Sequence, residues 1–255
     1  TTLVTYSPNG HRLLTASQDS TVRVWEVRSG QLLATLAEHE GSIRQAAWSG
    51  DGQHIAIVST REDQATVNIW SAESWQRIFT LQGDDERFNS AVWSHRSRRI
   101  VTSLEDKLAR VWDADSGRLL TTLSGHTGPI RYAAWSPDDR RIVTASDDKT
   151  AYIWDAASSS SLLVLKGHED SVLHAAWSPD GSRVVTGSAD QTAWIWDVKD
   201  GHLQAKLEGH RDRVLYAAWN HSGQRIFTFS KDRTAHIWAA DSGLLLARLD
   251  GHGRG

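Results

Sequence analysis

The chain has 255 residues, 39% of them apolar and 23% charged, enough for one large all-β domain or two smaller ones. A formal net charge of −3 spread along the chain argues against a dedicated nucleic-acid binder, and the absence of cysteine removes disulfides, thiolate metal sites and cysteine nucleophiles together. No stretch approaches the ~18 apolar residues of a membrane-spanning helix. The chain also lacks methionine and begins TTLVTYSP, which points to a segment of a longer polypeptide.

Its elements are set out by tryptophan. Trp25, Trp70, Trp112, Trp154, Trp196 and Trp238 are separated by 45, 42, 42, 42 and 42 residues, and Tyr6, Trp48, Trp93, Trp135, Trp177 and Trp219 keep step with them. A fixed period in this range marks a solenoid, propeller or array. Six repeats result, approximately 1–38, 39–83, 84–125, 126–167, 168–209 and 210–252, read as one domain.

The first repeat has Thr15, Asp19 and Trp25 and awaits a turn histidine from elsewhere in the chain. The second carries three extra residues in STREDQAT (59–66), has Glu38 where later repeats have glycine, and has Ile57 where they have a hydroxyl. The third begins GDDERFN, with Asp84 in the histidine's place. The fourth shows the local pattern most clearly. Ile130 to Ser136, Arg141 to Ser146, Thr150 to Trp154 and Leu162 to Leu165 are strand-length apolar or alternating runs, separated by the turn residues SPDD, SDDK and AASSS. No helical period appears. Such strands cannot bury both faces alone, so the repeats must pack face to face.

In the same repeat, Thr144, His126 and Asp148 have the residue types of a nucleophile, base and orienting acid. The grouping recurs at constant spacing as His168, Thr186, Asp190 and as His210, Thr228, Asp232, each followed by a tryptophan, Trp154, Trp196 or Trp238. A catalytic site is needed once, a strut in every repeat. Other chemistry is equally absent. His11, His54, His95 and His221 stand beside scattered polar turns without metal-ligand spacing, and no glycine-rich loop precedes a helix. No cofactor or metal is expected.

The Gly125-His126, Gly167-His168, Gly209-His210 and Gly251-His252 pairs, the SPDG-type turns, the S-x-D-x-T turns at 146–150 and 188–192, and the IWD or VWD endings at 112, 154 and 196 resemble the WD-repeat (WD40) β-propeller family. The resemblance covers essentially the whole chain. It implies an all-β propeller of six four-stranded antiparallel blades, either a complete ring or a segment of a larger array. It also implies that each histidine, turn aspartate, threonine and tryptophan form a buried tetrad. His252 would serve Thr15, Asp19 and Trp25 if six blades close.

In this family, partners touch the residues three and five places after the turn histidine and the residue before the turn aspartate. Those rules select Ser42, Arg44, Arg87, Asn89, Pro129, Arg131, Ser171, Leu173, Arg213 and Leu215, with Gln18, Glu105, Asp147, Ala189 and Lys231. Arg61, in the second repeat's insertion, belongs to the same surface. Its arginines and leucines suit an acidic segment with a hydrophobic anchor. Trp75, on the opposite side, is expected to pack on its own blade. The resemblance implies a non-catalytic, cytoplasmic interaction scaffold within a larger protein or complex, without nucleic acid or membrane. The alternative is an enzymatic or small-ligand propeller using its central funnel.

Overall fold

The computed structural model describes residues 3–17, 19–37, 41–62, 64–81 and 88–250. Among these the chain is all-β, with six four-stranded antiparallel sheets whose strands pair in sequence order. Such an up-and-down meander is what short alternating segments joined by tight turns produce. The residues fall into two compact units, the first essentially 1–122 and the second 123–255.

In the first unit, blade 1 comprises Leu3–Tyr6, Arg12–Ala16, Val22–Glu26 and Leu32–Leu36, and blade 2 Ser42–Trp48, His54–Arg61, Gln64–Ser71 and Arg77–Leu81. Blade 3 comprises Phe88–Trp93, Arg99–Leu104, Ala109–Asp113 and Leu119–Leu123. In the second, blade 4 comprises Ile130–Trp135, Arg141–Ser146, Thr150–Asp155 and Ser161–Lys166. Blade 5 follows with Val172–Trp177, Arg183–Ser188, Ala193–Asp197 and Leu203–Leu207, and blade 6 with Val214–Trp219, Arg225–Ser230, Ala235–Ala239 and Leu245–Leu249.

The described residues on both sides of the second repeat's insertion lengthen the central strands. Thr60 pairs with Ala65 and Arg61 with Gln64, so both central strands of blade 2 reach eight residues. The β-branched Val58, Thr60, Thr66 and Val67 favour that extension of the ladder.

Within each unit, cores form between successive blades. Val185, Ala193, Ile195 and Leu207 of blade 5 cluster with Val214, Ala217, Ile226 and Trp238 of blade 6. These joints are also tied by tryptophan: the indole N–H of Trp93 donates to the Ala47 carbonyl, Trp177 to Ala134 and Trp219 to Ala176, all at 3.2 Å.

Arginine forms a second tie. Every second strand opens on arginine except that of blade 2, which opens on His54. Arg141 lies 4.8 Å above the Trp177 ring and donates to the Gly181 carbonyl. Arg183 lies 4.7 Å above Trp219 and donates to Gly223 and Ala240. Arg12 donates to Ala72 and lies 4.9 Å above Trp75, so Trp75 is held by the preceding blade as well as by the core beside it. Trp75 also adopts φ 58°, the left-handed geometry that explains glycine at this turn in most repeats. His54 only stacks on Trp93, at 6.0 Å between rings. Replacing it, His54→Arg, should restore the cationic contact and raise stability by about 1 kcal/mol. Thermal unfolding checks this as a Tm increase of roughly 2–4 °C.

Candidate functional site

The turn histidine and turn aspartate of each later repeat meet across the blade. In blade 4, His126 Nδ1 lies 2.7 Å from Asp148 Oδ2 and Nε2 lies 2.7 Å from Thr144 Oγ1, while the Trp154 indole donates to the same hydroxyl at 2.8 Å. Blade 5 repeats this with His168 to Asp190 at 2.6 Å, His168 to Thr186 at 2.8 Å and Trp196 to Thr186 at 2.9 Å. Blade 6 gives 3.0, 2.7 and 2.8 Å for His210 to Asp232, His210 to Thr228 and Trp238 to Thr228.

The donors assign one proton order along each chain: indole N–H to threonine oxygen, threonine O–H to Nε2, and Nδ1–H to carboxylate. Each carboxylate has further donors. Asp190 accepts the Glu169 N–H, the Thr192 N–H and the Thr192 hydroxyl. Burial alone would raise its pKa, but these bonds and the one from His168 outweigh burial and hold Asp190 well below the usual carboxylate range. Asp148 and Asp232 are depressed against the same opposing burial. Burial lowers the pKa of His126, and its bond to Asp148 only partly offsets that.

Thr144 is fully buried, and its hydroxyl is held between an imidazole and an indole. That geometry keeps a substrate carbonyl from this oxygen. Among the described residues, no group of three His, Cys, Asp or Glu is placed to hold a metal ion.

Two features escape a reading by spacing alone. The residue two before each tetrad tryptophan covers the histidine: Tyr152 at 4.2 Å from His126, Trp194 at 4.3 Å from His168, and His236 at 3.8 Å from His210. This explains the glycine before the histidine, since a Cβ on Gly167, at φ 142°, would lie 2.5 Å from the Trp194 ring. Where no histidine stands 22 residues before the aspartate, the covering position is arginine. Arg23 pairs with Asp19 at 2.9 Å and Arg110 with Asp106 at 2.6 Å. Pairing the aromatic with the histidine, and the arginine with its absence, was the available sequence signal.

The second feature is a stack at one position of three successive first strands. His174 lies between Tyr132, at 4.1 Å, and Tyr216, at 4.2 Å. His174 is 5% exposed, with neither ring nitrogen in a well-formed hydrogen bond, and burial pushes its pKa down to about 4. Burial likewise raises Tyr132 to about 12.

The residues selected for partner contact divide between the units. In the first, Arg44 Nε donates to Thr60 Oγ1 at 3.2 Å, Arg61 ends the extended hairpin, Asn89 lies in Phe88–Trp93, and Glu105 precedes Asp106. In the second, Arg131 is engaged by Asp147 through Nε at 2.8 Å and a second, shorter contact from Nη2. Its charge is therefore largely neutralised within the blade. Leu173 is half-buried, whereas Arg213, Leu215 and Lys231 are exposed, with the Lys231 N–H bonded to the Arg213 carbonyl. Gln18, Arg87, Glu38, Asp84 and His252 lie outside the described residues.

Comparison with known proteins agrees with this architecture. The model of the WD domain, G-beta repeat, matches residues 1–26, 30–71, 75–113, 117–155, 159–197 and 201–239. Among curated proteins, Denticleless protein homolog of Gallus gallus is 45% identical over 42 residues, 16% of this chain and 6% of that protein. WD repeat-containing protein 1 of Mus musculus is 34% identical over 59 residues, 22% of this chain and 10% of that protein. The aligned stretches thus span only 6% and 10% of these relatives' lengths. With six matched repeats falling on six four-stranded sheets, the chain belongs to the WD-repeat family.

Proposed function

We propose that this chain is a non-catalytic protein-interaction scaffold that meets its partner on the side carrying the histidine–aspartate turns. The observation that carries the reading is the use of the polar groups. The imidazole, hydroxyl and carboxylate of each tetrad bond one another in three successive blades, which supports reading them as struts, while the neighbouring turn residues differ from repeat to repeat and several of them are exposed. The proposed contact residues are Arg44, Arg61, Arg87, Asn89 and Glu105 in the first unit and Arg131, Asp147, Leu173, Arg213, Leu215 and Lys231 in the second. The partner is a protein or peptide with an acidic segment, recognised within a larger assembly; a cytoplasmic location is part of this reading.

A photo-crosslinking amino acid tests which side is used. Placed at Leu173 or Leu215, it should give adducts with a captured partner, and placed at His221 on the opposite turns it should give none. Adducts at His221 alone, or equally at all three positions, would overturn the assignment. Arg87→Glu combined with Arg213→Glu should weaken the same capture far more than substitutions at Trp75 or His221.

A further inference from the structure

We infer that the two turns of blade 6 form a cationic seat for a short polyanionic segment of a partner protein, a cluster of carboxylate or phosphate side chains beside an apolar one. The inference rests on the scaffold reading and narrows it to one blade.

Arg211 and Arg213 precede the first strand of blade 6, and Lys231 and Arg233 flank Asp232 in the turn between its second and third strands. All four are exposed, and none is in an ion pair among the described residues. The backbone brings the two turns together: the Arg211 N–H donates to Asp232 at 2.8 Å, the Lys231 N–H to the Arg213 carbonyl at 2.9 Å, and the Ser230 hydroxyl to the Asp212 carbonyl at 2.8 Å. Asp232 is committed to His210, Arg211 and Thr234. Asp212 accepts the Arg213 N–H at 2.8 Å. Four cations against these two acids leave a local excess of positive charge.

The fold does not require it. The same four positions are Glu169, Ser171, Ala189 and Gln191 in blade 5, and Thr127, Pro129, Asp147 and Lys149 in blade 4, where the tetrads form equally well. In blade 4 the adjoining Arg131 is already bound to Asp147, so among the turns of blades 4 to 6 only those of blade 6 place four cations together. Arginine supplies forked donors that match carboxylate and phosphate oxygens. Leu215 and Tyr216, 40% and 49% exposed, provide apolar surface immediately beyond Arg213. The seat is short. Glu169 and Asp170 of the neighbouring blade would repel an extended polyanion, which favours a peptide segment over a nucleic-acid backbone.

Fluorescence anisotropy tests the seat with three labelled probes: a peptide of six glutamates ending in leucine and phenylalanine, a neutral peptide of the same ending bearing two phosphoserines, and a twelve-nucleotide single strand of DNA. One or both peptides should bind, more weakly as salt rises, and the arm that binds identifies the source of the anion. Replacing Arg211, Arg213, Lys231 and Arg233 together by glutamine should reduce that affinity at least tenfold, whereas Arg140→Gln with Lys199→Gln should leave it unchanged. If the quadruple variant melts early, the double variant Arg213→Gln with Lys231→Gln should still lose affinity at an unchanged Tm. Absence of peptide binding, wild-type affinity in these variants, or tighter binding of the DNA would each overturn the seat. Crosslinks from Leu173 to a partner, with no effect of the quadruple variant, would sink the seat and leave the scaffold standing.

Discussion

Asp190→Asn is expected to cost about 3 kcal/mol of stability, a fall in Tm of roughly 6–12 °C, while leaving the exposed turn residues in place. The carboxylate accepts from His168, Glu169 and Thr192, and every one of these contacts needs an acceptor. An amide must turn its NH2 toward one pair of donors, so buried donors on that side lose their partner. His168→Ala should cost a similar amount by leaving the Thr186 hydroxyl and the Asp190 carboxylate without the ring. Asp148→Asn should behave likewise, and Asp232→Asn should cost least, since its contact to His210 is the longest of the three at 3.0 Å. Calorimetric melting of the four variants reads the order. A variant that kept the wild-type Tm but lost partner capture would transfer the tetrad from structure to recognition.

The second large effect is acid sensitivity centred on His174. Its folded pKa, about 4, lies below the ~6.5 of an unfolded histidine, so between these values the unfolded chain binds a proton that the folded chain refuses. Stability from this group is complete above pH ~6.5 and is lost as pH falls toward 4. At ~1.4 kcal/mol per unit, the loss is roughly 3 kcal/mol. His126 and His236, also lowered by burial, act in the same direction. The depressed aspartates contribute later: their stabilisation is intact above pH ~4 and declines only below it. Replacing the imidazole, His174→Phe, keeps a flat ring between Tyr132 and Tyr216 and removes two polar atoms without well-formed hydrogen bonds. It should raise stability at pH 7 by about 1–2 kcal/mol and flatten the profile from pH 6.5 to 4. Urea unfolding at several pH values checks both; an unchanged slope would assign the acid sensitivity to other groups.

What could be read from the chain follows from what repeats. The tryptophan period fixes six units, and constant spacing picks out His126, Thr144, Asp148 and Trp154 before any coordinate is known. The strands of the fourth repeat come out within one residue at either end. Single-residue departures were harder to interpret. The insertion at 59–66 shows in the sequence only as three extra residues, and the cross-strand pairing that lengthens the ladder on both sides of the turn is not visible from spacing. Arg131 and Asp147 both fall on the partner surface by spacing, but only the fold shows them bonded to each other, sixteen residues apart and one strand across. The Tyr132, His174 and Tyr216 stack follows the 42-residue period, but its residue types differ, so identity matching passes over it.

The tryptophan ties between blades give the protein an internal set of clocks. Trp93, Trp177 and Trp219 each hold one indole proton against a carbonyl of the preceding blade, and each such proton exchanges with deuterated solvent only when its own joint opens. Following three indole resonances by NMR would therefore time the opening of three separate joints in the unlabelled, unmodified chain, and would show whether a bound partner clamps one joint or all of them.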